Sequence, residues 1–95
     1  MVKIYKYEIQ SGGVTKLKDR FIGVLSTGWQ GNKLFVWCLV SEQMRESELT
    51  FLCLPTGYEF PYNEEIHFLD SVQDGPYMWH IFFTLKSDEC KRTEH

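Results

Sequence analysis

The sequence predicts a mostly β fold: one small antiparallel sheet domain of about seven strands, curled over itself in the manner of a sandwich or barrel. Three observations carry this reading. Short apolar runs with period-two alternation recur along the chain, and Gly, Pro and Asn residues separate them. Aromatic residues, 16% of the 95 positions, gather in those same runs. A chain of this length holds a single core. The β domain is expected over residues 1–85, with 86–95, KSDECKRTEH, as a flexible charged tail that has almost nothing to bury.

The centre is residues 28–41, GWQGNKLFVWCLVS. Gly31-Asn32 reads as a tight hairpin turn, both residues at positive φ, joining a strand over 20–30 to one over 33–40. Along the second strand Lys33, Phe35, Trp37 and Leu39 alternate with Leu34, Val36, Cys38 and Val40. Both faces are apolar, so cover is expected on both.

At the start, residues 2–9 alternate like a strand, and the interleaved Lys3, Lys6 and Glu8 suit a sheet edge. Ser11-Gly12-Gly13 is a turn, and a short strand follows over 14–17. Lys16, Lys18 and Arg20 read as a solvated basic connection. After the hairpin, residues 41–48, SEQMRESE, have helix-forming composition but are too short for a packed helix, so they read as a polar loop or single helical turn. A strand over 49–54 ends at Pro55-Thr56-Gly57. Residues 58–65 form an aromatic loop in which Pro61 prevents ladder pairing. Two strands, 66–72 and 77–85, flank a turn at 73–76.

The last strand is again two-faced, with Tyr77, Trp79, Ile81 and Phe83 on one side and Met78, His80 and Phe82 on the other. Two such strands in a chain without a helix to cover them predict a homo-oligomer packed through sheet faces or edges.

Ten Lys and Arg against 13 Asp and Glu leave a net charge of -3, which excludes the electrostatic footprint of a nucleic-acid polymer binder. A small anionic ligand needs only a local cluster of cations. No secretory signal pattern and no membrane-length apolar run is present, and no membrane partner is expected. Three cysteines, Cys38, Cys53 and Cys90, are an odd number, which points to free thiols in a reducing compartment and a cytoplasmic location.

Cys38, Cys53, His67 and His80 lack the close pair spacing of a zinc site, so no metal is expected. Cys53 with His80 is the one nucleophile and base pairing available, and both lie in apolar strands where a thiol loses reactivity. Glu64, Glu65, Asp70 and Asp74 read as solvated carboxylates. No glycine-rich phosphate loop or dinucleotide fingerprint occurs. The expectation is therefore no enzyme, no catalytic residue and no cofactor.

Binding is better supported. Thr56-Gly57-Tyr58 leaves a strand through a glycine, which lets backbone N–H groups approach a ligand beside a hydroxyl and a ring. Trp29 and Trp79, with Tyr58, Phe60, Tyr62 and Tyr77, lie near turns where they can stack on a planar ligand. Arg20, Arg45 and Lys33 can reach a phosphate. The competing reading puts these rings in the core or a subunit interface, and reads His80 as a hydrogen-bonded interior histidine.

Taken in order, IYKYEI, WCLVSE, LPTGYEF and FLDSVQDGPYMWHIFF resemble a family of short phage-encoded and prophage-encoded proteins of unassigned function. That family opens on a Lys-Tyr strand, has a hairpin ending W-x-L-V, a Thr-Gly-His-Pro loop and a closing V-W-H-V-F strand. Tyr7, Trp37, Thr56, Gly57, Trp79 and His80 fall on the pattern, and Tyr58 departs from it where the family shows histidine. The resemblance implies a phage origin, action in the cytoplasm of an infected bacterial host and no known catalysis. In scale and character the chain is also similar to phage anti-CBASS sponges. That likeness implies capture of a cyclic oligonucleotide without hydrolysis, with Thr56, Gly57 and Tyr58 in the pocket, Trp29 or Trp79 on a base, and Arg20 or Arg45 on phosphate. The alternative is a protein-interaction module that offers a strand edge or aromatic patch to a host or phage protein.

Overall fold

The computed structural model describes residues 1–87. They form seven strands: β1 (Val2–Ile9), β2 (Gly13–Asp19), β3 (Phe21–Gln30), β4 (Lys33–Ser41), β5 (Ser47–Pro55), β6 (His67–Asp74) and β7 (Tyr77–Ser87). Sheet A has the order β1-β4-β3 and sheet B the order β2-β5-β7-β6, and every neighbouring pair is antiparallel. The two sheets stack as an open sandwich, so of the two architectures expected the barrel is the one that does not form.

Alternation decides which side chains meet between the sheets. Leu34, Val36, Cys38 and Val40 of β4 face Leu49, Phe51 and Cys53 of β5 and Ile81 of β7, and all are buried. Ile9 and Phe21 close the same cluster. Each fully buried aliphatic or aromatic side chain there stabilises the fold by roughly 1.5–3 kcal/mol. The edge position read for β1 is the observed one.

Several local readings change. Gly31 has φ +63°, whereas among the described residues none other than glycine has a positive φ, so Asn32 does not share the left-handed conformation expected of it. Glycine at the first central position followed by a negative φ is the type II′ pattern, which suits the twist of the flanking strands equally well. The stretch expected as a basic connection after residue 17 is strand as far as Asp19, because β5 holds β2 through the register Gly13↔Cys53 to Asp19↔Ser47. Residues 41–46 contain a turn, closed by Met44 N–H to the Ser41 carbonyl at 3.0 Å, and β5 takes over at Ser47. No helix occurs among the described residues. β7 continues past Leu85 to Ser87, and the rest of the expected tail lies outside the described residues.

The second face of β7 gets its cover from within the chain. Residues 56–66 leave β5 through a turn in which Tyr58 N–H donates to the Pro55 carbonyl at 3.2 Å, and Phe60 packs on Phe82 with ring centroids 5.3 Å apart. Leu54, which points to this outer side, is only 9% exposed. The irregular loop covers part of this face, while Phe68 and Met78 on the same side stay 57% and 38% exposed.

Candidate functional site

The residues singled out from the sequence fall at opposite ends of the sandwich. β5 begins beside Asp19 and ends beside Trp79. Its eight residue steps span about 26 Å at the usual strand rise of roughly 3.3 Å. Arg20 and Arg45 belong to the first end; Thr56, Gly57, Tyr58, Trp29 and Trp79 belong to the second. The fold does not bring the arginines and the rings together within one chain.

At the ring end, Trp29 donates its indole N–H to the Gln73 carbonyl at 2.9 Å, and Trp79 donates to Asp74 Oδ2 at 3.1 Å. Both rings pack their inner sides on the core. Gly12, at φ +88°, lies under Trp79, and a Cβ there would come within 3.2 Å of the ring, so both backbone and space demand glycine. An open hollow of about 360 Å³ remains, lined by Trp29, Gly31, Asn32, Gln73, Asp74 and Gly75, with Ser11 at its rim. Its one ionised wall group is the Asp74 carboxylate, which repels a phosphate. Of the three cations proposed for phosphate, Lys33 alone is at this end, one residue past the turn.

Beside the hollow, His80 is held on both ring nitrogens. Thr56 Oγ1 lies 2.8 Å from Nε2 and Ser71 Oγ lies 2.8 Å from Nδ1. Neutral imidazole donates to one hydroxyl and accepts from the other; the protonated ring donates to both, so either state is satisfied. The histidine ties the start of the 56–66 loop to β6 and β7, in keeping with the hydrogen-bonded role read from the sequence. Cys53 points to the core while His80 points to the outer face of sheet B, so the sole nucleophile and base pair available from sequence does not meet. Among the described residues no three His, Cys, Asp or Glu side chains converge on a metal-sized centre.

At the other end, Arg20 donates Nη1 to the Met44 carbonyl at 2.7 Å, and its backbone N–H donates to Asp19 Oδ1 at 2.7 Å. It borders a recess of about 140 Å³ shared with Lys3, Tyr5, Asp19 and Glu42. Arg45 is exposed in the connection before β5.

A further apolar surface lies elsewhere. On the outer face of sheet A, register sets Ile4 beside Leu39, Lys6 beside Trp37 and Glu8 beside Phe35. Lys6 lays its ammonium over the Phe35 ring at 4.6 Å and donates to Gln30 Oε1 at 2.7 Å. Val2 and Ile4 are 58% and 60% exposed. Gly28 and Ser26 of β3 are low positions beside Trp37, whose ring comes within 3.9 Å of a Cβ built on Gly28. Among the described residues no connection comparable to 56–66 crosses this face. The sequence carried a signal for it, the second apolar face of β4, without the means to say which of two faces would be left bare.

Residues 1–91 match a family described as a domain of unknown function, DUF7352. The chain belongs to that family. The DUF7352 match takes in both sheets and all seven strands. No curated protein and no solved structure matches the chain.

Within this DUF7352 domain three side chains, Tyr7, Cys38 and Cys53, have raised pKa values. Burial pushes the Cys38 thiol up to about 11, with Asp19 adding to the shift, and burial also raises Cys53. Tyr7 donates its hydroxyl to Asp19 Oδ2 at 2.5 Å, and burial first, then that hydrogen bond, raises its pKa. Protonated thiols facing a core are poor nucleophiles.

Proposed function

We propose that this DUF7352 domain is a non-catalytic protein-interaction module that docks a host or phage protein on the outer face of sheet A. One observation carries the reading: on the outer face of sheet A the exposed Val2 and Ile4 adjoin the partly buried Phe35, Trp37 and Leu39, and among the described residues no loop is seen to dock an aromatic ring there as Phe60 docks on sheet B. A bare face of this kind costs solubility unless something else covers it. The rim charges Lys6, Glu8 and Lys33 give such a surface the polar border typical of a docking patch.

The test is capture from host lysate with wild-type protein and with an Ile4→Lys, Leu39→Lys variant of unchanged circular dichroism. A stoichiometric partner held by the wild type and lost by the variant supports the module. Equal capture by both contradicts it.

Sequestration of a cyclic oligonucleotide is the second reading, favoured by the hollow between Trp29 and Gly75. Because Arg20 and Arg45 lie at the far end, that reading needs two chains set end to end, so that the arginines of one meet the rings of the other. Cyclic di- and trinucleotides should then raise the melting temperature and drive dimerisation together. A flat thermal-shift screen counts against it.

A further inference from the structure

The two ladders of β7 end at different places. On the β5 side pairing continues to Ser47↔Ser87, whereas on the β6 side it stops at His67↔Phe83. Residues 84–87 therefore present one row of backbone donors and acceptors with no strand beside it among the described residues. The interior of the sandwich opens at the same corner. A cleft of about 250 Å³ is lined by Phe21, Ile22, Val24, Leu49, Phe83 and Leu85, with His67 at the β6 end of its rim. Both strands that border the opening are irregular there: β3 slips register between Phe21 and Gly23 and again between Val24 and Ser26, and β6 between Phe68 and Asp70. Bulges bend a strand away from its regular path, which keeps the two sheet edges apart.

We propose that an extended peptide from a partner protein adds to sheet B at this corner, antiparallel to residues 84–87 in the lane that β6 vacates, and places one large aliphatic or aromatic side chain in the cleft. The two halves of the site select that occupant jointly. An open ladder row is matched by extended backbone and by nothing else of comparable length. The cleft, apolar on nearly all sides and continuous with Phe21 and Leu49 of the core, is matched by an apolar side chain from alternate positions of the same strand. A helix or an acyl chain would leave the ladder row unpaired, at a cost wherever water is excluded. The chain's own residues 88–95, DECKRTEH, contain no Val, Leu, Ile, Met, Phe, Tyr or Trp to fill the cleft. This contact is on a different surface from the outer face of sheet A, so either stands or falls alone.

A random dodecapeptide display library panned on the full chain, followed by nuclear magnetic resonance with the enriched peptides, tests the proposal. Enriched peptides should share one large apolar residue flanked by alternating polar ones, shift Phe21, Val24 and Leu85, and slow exchange at those amides of residues 84–87 that point away from β5. Ile22→Trp, which narrows the cleft, and Leu85→Lys, at a position already 51% exposed, should each weaken binding about tenfold or more. No enrichment over the bare support overturns the proposal. Shifts confined to Ile4 and Trp37 overturn it while leaving the sheet A module standing. If the amides of residues 84–87 that point away from β5 are already protected in the free chain, and released on dilution or on removal of 88–95, a second copy or the tail is the occupant and the proposal is also overturned.

Discussion

The outer faces of the two sheets carry similar raw material and end differently. Each has aromatic and aliphatic residues on its central strands: Phe82, Leu52 and Leu54 on sheet B, Phe35, Trp37 and Leu39 on sheet A. Sheet B is followed by an eleven-residue connection, 56–66, that folds back over it, docks Phe60 on Phe82 and is tied by Thr56 to His80. Sheet A is closed by the Gly31 turn and by the turn after Ser41, both too tight to return over the face. The difference teaches that a long connection can bury the middle of an outer face, here Leu54 and Phe82, while Val14, Phe68 and Met78 around it stay exposed. The face left over is where a partner gains the most apolar contact.

Four changes probe this contrast. The largest effect comes from the layer that both sheets share. Phe51→Ala should cost about 3–5 kcal/mol in urea unfolding, enough to unfold much of a small domain, and a cost below about 1 kcal/mol would mean that the sheets do not pack on each other as described. Phe60→Ala should cost about 2 kcal/mol and sensitise the 56–66 loop to protease while the rest of the chain stays resistant, since it removes the cover of one face only. Uniform cleavage would show that the loop is no separate cover.

Alkaline pH acts between the sheets. Cys38 has its thiol held at about 11 in the fold against 9.0 as its ordinary value. The folded chain keeps a proton that the unfolded chain gives up, so this contribution is complete below pH 9 and is lost as pH rises towards 11. Stability should fall by up to about 1.4 kcal/mol per pH unit in that window, and more gently in Cys38→Ala. A melting temperature flat from pH 8 to 10.5 would contradict the burial of that thiol. The smallest effect belongs to the bare face: Ile4→Lys should change stability by no more than about 0.5 kcal/mol, because its side chain is largely in water already. A loss of 2 kcal/mol would mean that a second chain covers sheet A.

The strands and the core were legible because period-two alternation is a local signal. Leu34 to Val40 and Leu49 to Cys53 announce themselves as strands, although both faces of the first are apolar and its inner face could not be picked without the partner sheet. The bulges in β3 and β6 were not legible, since an extra residue in a ladder depends on the strand opposite. The split of the proposed ligand residues was hidden for the same reason. Arg20 and Trp29 look close in sequence, yet they are the two ends of one ten-residue strand region, and strand rise carries them apart. Thr56 and His80 were each noted, but their hydrogen bond links residues 24 apart through the β5 and β7 register.

The contrast between the faces is tested most directly by solvent paramagnetic relaxation on methyl-labelled protein with a soluble gadolinium chelate. Methyl groups of Val2 and Ile4 should broaden strongly, those of the partly buried Leu39 less, and those of Leu54 hardly at all. Equal broadening of Leu39 and Leu54 would mean that residues 56–66 do not cover sheet B. Protection of Val2, Ile4 and Leu39 at high dilution would mean that sheet A is not bare, and the docking face would have to be sought elsewhere.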